Sequence, residues 1–354
     1  MFDKYVVTEI ENLVSENKEL FEHLHMKRIF VTGATGLIGS QIVLALLIAN
    51  RKYNVDIRIT ILVRSLLKAQ AVFGDDLAEL QVVEGDVRDK LQLEESIDYI
   101  IHGASVTNSL EFVQKPVDTI YTVVDGTRNI LEVAKLQQVR GFVFLSSLEV
   151  YGSFEGQKDV SEDDFGYLNP ANARSSYSEG KRLAESLCIS YATQYQLPIK
   201  IARLCQTFGP GVHYQDNRVF AQFARSVIEK KDIVLHTRGR TERNYCSIKD
   251  AIAGILYVLL LGQSEEVYNV ANEDTLISIK DMAELVISLD ESSATKVVFD
   301  LQDIQKFGYN PEVRLKLLTE KLENLGWKPT VDLSTMFTGL IQSMKCSRVR
   351  QDEQ

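Results

Sequence analysis

Two residues with a spacing suited to proton transfer stand near the middle of the chain. Tyr177 and Lys181 lie four residues apart, which places both side chains on one face of a helix. A neighbouring ammonium stabilises a phenolate, so Lys181 is expected to lower the pKa of Tyr177. Such a tyrosine takes a proton from a hydroxyl as a hydride leaves, or donates one to a carbonyl as a hydride arrives. Ser147, at the end of a predicted strand, is expected to hydrogen-bond the reacting oxygen.

A glycine-rich loop gives this pair its significance, since Tyr-x-x-x-Lys alone is common by chance. The loop follows a predicted strand and precedes an apolar helical stretch, the setting in which a dinucleotide pyrophosphate is held. Gly33 allows the tight turn, Gly36 lets the backbone approach the phosphates, and Gly39 permits close packing of helix and strand. The helix dipole and the free N–H groups favour the anion. The predicted contacts of the loop are Gly33, Thr35, Gly36, Leu37, Ile38 and Gly39.

The second predicted strand indicates which dinucleotide is bound. It ends in Arg64 and Ser65, with no acid at the position where NAD-specific folds hold the ribose 2′-hydroxyl. Arg64 could pair with a 2′-phosphate, which favours NADP(H) and leaves NAD(H) possible. The alternative is an exposed arginine that stacks on the adenine.

Further cofactor contacts are expected where the third and fourth strands end. Asp86, followed by Val87, could accept a hydrogen bond from the adenine amino group, or could simply be a turn residue. His102, Gly103 and Ala104 end the fourth strand, where small residues leave room for the ribose and phosphates. Tyr177 and Lys181 are expected to contact the cofactor as well, with Lys181 on the nicotinamide ribose. Ser105, the next residue along, is a candidate substrate contact.

Six short, almost continuously apolar strands alternate with helical segments. Such strands indicate a parallel sheet covered on both faces, which is a doubly wound α/β (Rossmann) fold. After about residue 209 the pattern loosens into a smaller, mixed α/β substrate lobe. The six predicted strands are 28–32, 57–63, 80–84, 99–102, 142–146 and 199–203.

Three units follow from this pattern. Residues 1–26 have helical spacing and form an N-terminal extension of one or two amphipathic helices, expected to pack on the next domain or, alternatively, to bind a partner. Residues 27–210 form the dinucleotide-binding domain. Residues 211–354 form the C-terminal lobe, with a segment at about 245–275 expected to return to the first domain.

Composition excludes several classes of protein. The chain has 354 residues, 45% of them hydrophobic, and a formal net charge of −10, which argues against a nucleic-acid binder. Neither a signal peptide nor an apolar run of spanning length is visible, so no membrane association is expected. The four cysteines are scattered without Cys-x-x-Cys, which predicts reduced thiols, a cytoplasmic location and no metal site.

In their order along the chain, these motifs resemble those of the extended short-chain dehydrogenases/reductases of the nucleotide-sugar epimerase/dehydratase type. The resemblance runs from residue 27 to about 338 and implies a nucleoside-diphosphate sugar bound between two lobes. It also implies a homodimer that pairs helices within 107–135 and 175–194. The matching segments are Gly33-x-x-Gly36-x-x-Gly39, Asp86-Val87, Ser146-Ser147-x-x-Val150-Tyr151-Gly152, Tyr177-x-x-x-Lys181, Arg203-x-x-x-x-Phe208-Gly209-Pro210-Gly211 and Leu325-Gly326-Trp327-Lys328-Pro329.

The resemblance also implies substrate contacts. Arg243 matches the arginine that binds the substrate pyrophosphate in the family, with a structural salt bridge as the alternative. Arg218 is a weaker phosphate candidate. Gln206 stands where many members have a substrate-contacting asparagine.

The residues after Ser147 bear on the reaction. Sugar 4,6-dehydratases of the family place Asp-Glu there, and Leu148 cannot replace the proton-donating aspartate. Glu149 is either a catalytic base or a surface residue.

The first hypothesis is NADPH-dependent reduction of a keto group on a nucleotide-linked sugar or ketose, serving the synthesis of surface polysaccharide precursors. Here Tyr177 donates the proton and Ser147 positions the carbonyl. The second is a nucleotide-sugar 4-epimerase that uses the same residues with bound NAD. A 4,6-dehydratase is disfavoured by Leu148, and a dinucleotide-binding protein without chemistry is disfavoured by the intact Ser147, Tyr177 and Lys181.

Overall fold

The computed structural model describes residues 1–289, 295–301 and 313–352. Strands and helices alternate along most of this length. The strands are β1 Arg28–Thr32, β2 Arg58–Val63, β3 Gln81–Glu84, β4 Tyr99–His102, β5 Gly141–Ser147, β6 Gln157–Val160, β7 Ile199–Leu204, β8 Gln206–Phe208, β9 Ile233–Leu235, β10 Glu242–Ser247, β11 Val267–Val270, β12 Asn272–Ser278, β13 Val297–Phe299 and β14 Arg314–Leu317. The helices are α1 Lys4–Glu16, α2 Lys18–His23, α3 Leu37–Tyr53, α4 Leu66–Phe73, α5 Ser109–Gln114, α6 Pro116–Gln137, α7 Ser176–Tyr195, α8 Val219–Glu229, α9 Ile248–Leu261, α10 Ile279–Ser288, α11 Glu320–Glu323 and α12 Leu333–Asp352.

Seven parallel strands form the large sheet, in the order β11-β7-β5-β4-β1-β2-β3. The central strands are buried along nearly their whole length, because helices cover both faces of the sheet. The doubly wound α/β fold predicted from the sequence is confirmed, and each of the six predicted strands is present to within one residue at either end.

The strand order reverses between β1 and β4. From β1 the chain builds outward through β2 and β3, and then returns to β4 on the other side of β1. Ligands of open α/β sheets bind in the crevice at the carboxyl ends of the strands beside such a reversal. The residues that follow β1, β4 and β5 therefore face a common crevice.

A five-stranded sheet holds β12, β10, β14 and β6, with β8 paired to β10, and a separate pair joins β9 to β13. Within it β10 runs antiparallel to β12 and parallel to β8 and β14. β6 and β8 come before residue 211 yet pair in this smaller sheet, while β11 comes after it and pairs in the large one. The chain therefore crosses between the sheets more often than a boundary at 210/211 with one return at about 245–275 describes, and the domain limits remain a proposal.

The N-terminal extension forms two helices. The apolar face of α1 carries Val6, Ile10, Leu13 and Val14, all buried, and it packs on α3, α9 and α12. Asp3 begins the helix by accepting hydrogen bonds from two backbone N–H groups of its first turn. Among the described residues, no helix is both long and apolar enough to cross a membrane.

Candidate active site

The glycine loop after β1 has a geometry that only glycine allows. Gly33 has φ +72°, and a Cβ there would lie 2.7 Å from the carbonyl group of Gly103. A Cβ on Gly39 would lie 2.3 Å from the Gly33 carbonyl oxygen. The loop is thus packed against the residues that follow β4, and its backbone forms the wall of the crevice.

The N-terminus of α3 is open to an anion. Gly36 begins the helix without a side-chain cap, and the first turn holds no acidic residue. The first-turn N–H groups of a helix have no partner within it, and the helix dipole makes them attractive to phosphate. Thr35, Leu37 and Ile38 stand half-buried around this point. These features fit the pyrophosphate of a dinucleotide.

The buried ring of His102 holds the carboxyl ends of β1 and β4 together beside the crevice. Its Nδ1 lies 2.7 Å from Thr32 Oγ1 and its Nε2 lies 3.1 Å from Thr127 Oγ1. Thr127 donates its hydroxyl to the Val123 carbonyl and so accepts from Nε2, which assigns the proton to that nitrogen. Thr32 Oγ1 also accepts from the N–H of Ala104. The ring is thus fully used in holding the strand end.

Because of this position His102 is neutral. Burial, with a smaller contribution from the charge of Lys181, lowers the pKa of His102 to about 3. Its predicted place beside the cofactor is therefore a matter of the backbone at Gly103 and Ala104 that it positions, not of its ring.

The end of the crevice beside β2 and β3 carries more positive charge than the sequence motifs indicate. Arg64 is exposed at the end of β2, and Ser65 caps α4 by accepting from the N–H of Lys68. Asp86 is held by Arg88, whose Nε and Nη2 donate to its two oxygens at 3.0 and 3.1 Å. These hydrogen bonds lower the pKa of Asp86, and the charge of Arg64 contributes.

Arg88 was not among the predicted site residues. Arg88 is exposed in the loop after β3, where no helical or strand periodicity marks a residue as part of a site. The sequence motif indicated only Asp86. Val87, between them, is buried against Gly126, where a Cβ would lie 2.8 Å from a Val87 methyl.

Ser147, Tyr177 and Lys181 come together at the end of β5. The side chain of Ser147 lies near enough to Tyr177 to lower the pKa of the phenol. Lys181 is 2% exposed; its Nζ donates to the Leu145 carbonyl at 2.7 Å and lies 5.8 Å from the centre of the Tyr177 ring. A hydroxyl, a phenol and an ammonium thus converge where the strand meets α7.

The environment shifts the protonation of both groups. Burial raises the pKa of Tyr177 well above its usual range and the charge of Glu149 adds to this, while the nearby side chain of Ser147 and the charge of Arg174 oppose it. This net direction is opposite to the lowered pKa expected from the sequence, because burial dominates. Burial also lowers the pKa of Lys181 to about 8, against the charge of Glu185.

Glu149 stands beside Tyr177 and is not a free surface residue. Arg174 Nη2 and Ser178 Oγ each donate to one of its carboxylate oxygens, both at 3.1 Å. Its backbone N–H donates to Ser147 Oγ at 3.2 Å. Both Arg174 and Ser178 were missed by the sequence analysis, although the second lies inside the Tyr-x-x-x-Lys segment.

A buried ion pair supports this region. Arg203 Nη2 and Glu185 Oε2 are 2.7 Å apart, and both side chains are at most 9% exposed. Glu185 accepts from Ser146 Oγ, and Arg203 Nη1 donates to the Tyr151 hydroxyl at 3.1 Å. The pair therefore joins β5, α7 and β7 next to the Ser147–Tyr177–Lys181 cluster.

The smaller sheet brings two predicted substrate residues together. β7 ends at Leu204, the register partner of Ser147, and the chain continues directly to Gln206 on β8. Gln206 is the register partner of Tyr245 on β10, the strand that carries Arg243. The Nε of Arg243 is buried and has no hydrogen-bond partner among the described residues.

The side chains of two other predicted substrate contacts, Arg218 and Ser105, are hydrogen-bonded to neighbouring residues of the protein. Arg218 precedes α8 and makes a two-point ion pair with Asp216, with Nε–Oδ1 at 3.1 Å and Nη2–Oδ2 at 2.7 Å. Ser105 donates to the carbonyl of its neighbour Val106 at 3.2 Å. In the part of the chain that the structure describes, no group of acidic, histidine or cysteine residues is arranged to hold a metal.

Together, the open helix N-terminus, the glycine loop and the Ser147–Tyr177–Lys181 cluster define an NAD(P)-dependent enzyme of the extended short-chain dehydrogenase/reductase type. The chain belongs to the NAD dependent epimerase/dehydratase family, whose model matches residues 29–271.

Named relatives act on nucleotide sugars. The chain is 30% identical over 308 residues to UDP-glucuronic acid decarboxylase 6 of Arabidopsis thaliana, covering 86% of this chain and 85% of the relative. It is 29% identical over 317 residues to UDP-glucuronic acid decarboxylase 1 of Danio rerio, covering 89% and 72%.

Solved structures share the fold. The UDP-glucuronic acid 4-epimerase from Bacillus cereus in complex with NAD is 25% identical, with a TM-score of 0.73, covering 90% of this chain and 96% of that one. An epimerase from Methanothermobacter thermautotrophicus is 20% identical, with a TM-score of 0.81, covering 95% and 97%. At that lower identity the likeness concerns the fold alone.

Proposed function

We propose that this enzyme oxidises a ring carbon of a UDP-linked hexuronic acid and returns the hydride after the substrate has lost CO2. The observation that carries the proposal is the convergence of Ser147, Tyr177 and Lys181 where β5 meets α7, with Lys181 Nζ 5.8 Å from the centre of the Tyr177 ring. The names of the relatives, which share UDP-glucuronic acid as substrate, support the choice of hexuronate.

The chain's own residues would handle the proton and the oxygen. The hydroxyl of Ser147 and the phenol of Tyr177 bind the same sugar oxygen, which holds it in line for transfer. Deprotonated Tyr177 takes the proton of that hydroxyl and later gives it back to the carbonyl oxygen. The bound nicotinamide dinucleotide supplies the acceptor and later the donor of the hydride. Lys181 holds positive charge beside the phenolate.

Loss of CO2 suits a site that lacks a strong acid next to Ser147. A ketone at C4 lies β to the C6 carboxylate of a hexuronate, so the carbon–carbon bond breaks with its electrons delocalised into the ketone. The enolate that remains takes a proton at C5 from water, which restores the C4 ketone before the hydride returns. Expulsion of water would instead need a proton donor, and Leu148 cannot provide one. Decarboxylation therefore makes fewer demands on this site than dehydration does.

Arg243 and Gln206 are the proposed contacts of the UDP moiety. The unpartnered Nε of Arg243 is the kind of buried donor that a phosphate oxygen satisfies, and a guanidinium can bind two such oxygens at once. Because Gln206 follows the register partner of Ser147, the nucleotide and the reacting sugar would bridge the two sheets.

Cofactor preference depends on Arg64. No carboxylate follows β2 directly, and Arg64 and Arg88 both stand exposed near Asp86, which favours NADP(H) over NAD(H). The family is named for NAD, so the discrimination must be measured. We expect Arg64→Ala to weaken NADP+ binding by about tenfold and NAD+ binding far less, because only the former carries a 2′-phosphate. Equal effects on both would contradict the assignment.

Net reduction of a keto sugar is the second candidate, and Arg64 is the observation that favours it, since NADPH is the cellular reductant for such steps. Epimerisation at C4 uses the same residues. It is the alternative to decarboxylation among reactions in which the cofactor returns the hydride to the substrate. The proposed role in supplying sugars for surface polysaccharides applies to either.

A homodimer and a cytoplasmic location complete the proposal. The outer faces of α6 and α7 expose apolar side chains, and such a face is normally covered in an assembly. Light scattering should report twice the chain mass, whereas a monomer at micromolar concentration would contradict the dimer. The four free thiols support a reducing compartment. The exposed side chains are Val117, Ile120, Tyr121 and Leu183.

One assay separates these reactions. Purified protein is incubated with UDP-glucuronic acid, UDP-glucose and a panel of CDP-, GDP- and dTDP-linked keto sugars, each with NAD+, NADP+, NADH or NADPH. The absorbance of the reduced nicotinamide and the mass of the product are followed together. The proposal predicts a product lighter by one CO2 from UDP-glucuronic acid, with no net change in cofactor. Net oxidation of NADPH by a keto sugar would instead support the reductase.

A further inference from the structure

The ring of Tyr177 is stacked against a residue outside the family motifs. Phe112 of α5 lies parallel to it, with ring centroids 4.3 Å apart and an interplanar angle of 5°. Ser176 Oγ donates to the Phe112 carbonyl at 2.9 Å, which ties α5 to the start of α7. Phe112 is 3% exposed, so it excludes water from one face of the phenol.

Arg174 contacts both Phe112 and Glu149. Its Cζ lies 4.9 Å from the centre of the Phe112 ring, a cation–π distance, while its Nη2 donates to Glu149 Oε1 at 3.1 Å. The second oxygen of Glu149 is held by Ser178. An exposed ion pair alone would contribute little. Here one guanidinium joins an aromatic ring and a carboxylate that both adjoin Tyr177.

The charges of Glu149 and Arg174 beside Tyr177 are thus of opposite sign. Glu149 opposes ionisation of the phenol and Arg174 favours it. The other charged group that faces the ring is Lys181, whose Nζ is bound to the Leu145 carbonyl; the nearby His102 is neutral. Loss of the Arg174 charge therefore leaves Glu149 to raise the pKa of Tyr177 further.

We propose that Arg174 is a positioning residue, which holds Glu149 and Phe112 around Tyr177 and thereby sets the pH at which Tyr177 exchanges its proton. The inference rests on the proposed function of Tyr177 as the proton-transfer group. It assigns to Glu149 an electrostatic role beside the phenol.

The test is the pH dependence of kcat/KM for the reaction that the panel identifies. In the oxidation direction kcat/KM rises with pH as Tyr177 loses its proton. Arg174→Gln should move this rise to higher pH by about one pH unit, so that kcat/KM at pH 7 falls about tenfold and recovers at higher pH. Glu149→Gln should move it to lower pH, and the double variant should lie between the two.

Two control variants separate charge from position. Arg174→Lys keeps the positive charge but loses the planar guanidinium that contacts both Glu149 and Phe112. The rise of kcat/KM should therefore stay at the same pH as in the wild type, while kcat/KM itself is lower at every pH. Arg140→Gln removes a positive charge at the amino end of β5, where Arg140 pairs with Asp98. It should change neither the pH of the rise nor the value of kcat/KM. Binding of the dinucleotide by each variant shows that it is folded.

The outcomes distinguish the two proposals. If Arg174→Gln and Glu149→Gln lower the plateau without moving the rise, or move it in the same direction, the positioning role is wrong while the proposed function stands. If the wild-type protein turns over no nucleotide sugar, the proposed function fails, and the inference falls with it.

Discussion

The two arginines that the sequence predicts as phosphate ligands, Arg218 and Arg243, differ in the hydrogen bonds that they already make within the protein. Arg218 is bound at two points by Asp216, and its guanidinium also lies 4.8 Å from the Phe220 ring. Arg243 has a buried Nε with no partner among the described residues, and its charge opposes the burial that raises the pKa of Tyr245 to about 12. A buried donor without an acceptor costs free energy, which a bound phosphate would recover.

Substitution of these two arginines should therefore have unequal effects. We expect Arg243→Gln to raise KM for the UDP-sugar roughly tenfold to a hundredfold, as for the loss of one charge-assisted hydrogen bond, with dinucleotide binding unchanged. Arg218→Gln is the matched control and should change KM by less than about threefold, because its fork is already satisfied. Steady-state kinetics checks both, and the reverse ranking would show that the phosphates bind at α8.

At this scale the sequence predicted the groups with a fixed spacing. Tyr177 and Lys181 were found because helical geometry requires them to share a face. Arg174 and Phe112 were missed because their contacts with Tyr177 depend on how α5 packs against α7, which no local pattern reports. Likewise the direction of the Tyr177 pKa depends on burial, which the charge of Lys181 alone does not reveal.

At the scale of elements, α1 docks with a carboxyl on its buried side. The Glu9 carboxylate packs against two glycines, Gly339 of α12 and Gly209. A Cβ atom built on Gly339 would lie 3.3 Å from Glu9 Oε1, and one built on Gly209 would lie 3.8 Å from Glu9 Oε2. Burial raises the pKa of Glu9 to about 7; Lys249 opposes this, while Asp250 and Asp3 add to it. The folded chain thus binds a proton that the unfolded chain releases near pH 4.5.

This linkage has a definite sign. A carboxyl whose pKa is higher in the folded state gives stability that is full below pH 4.5 and is lost as the pH rises through about 7. We expect Glu9→Gln to be more stable than the wild type by about 1–2 kcal/mol at pH 8, and to lose this advantage at pH 4.5. Denaturant unfolding at both pH values measures the difference. Glu11→Gln, exposed on the same helix, is the control; a Glu9 variant that matched it at both pH values would contradict the linkage.

Element boundaries in the large sheet were predictable because buried parallel strands are nearly continuous apolar runs. The smaller sheet was not, since its strands are short and come from distant parts of the chain. β8 pairs with β10 and β6 with β14, and in each pair the two strands are far apart along the chain. Their pairing is a property of the tertiary fold.

At the scale of the whole molecule, a net charge of −10 coexists with a proposed site for two anionic ligands. The positive charge is local: Arg64 and Arg88 stand near the end of β2, and Arg243 lies on β10. Carboxylates elsewhere pair on exposed faces, as Asp76 and Glu79 do with Arg51. Overall acidity therefore does not exclude an anionic substrate. The two sheets, joined at Leu204 and Gln206, would bring the proposed cofactor and sugar sites together.

The measurement that tests the central claim most directly compares Tyr177→Phe with the wild type on UDP-glucuronic acid. Product mass and dinucleotide affinity are recorded for both proteins. The phenol hydroxyl is the only group removed, so turnover should fall by at least about a thousandfold while dinucleotide binding stays within about twofold. A Tyr177→Phe variant that released CO2 at the wild-type rate would contradict the account.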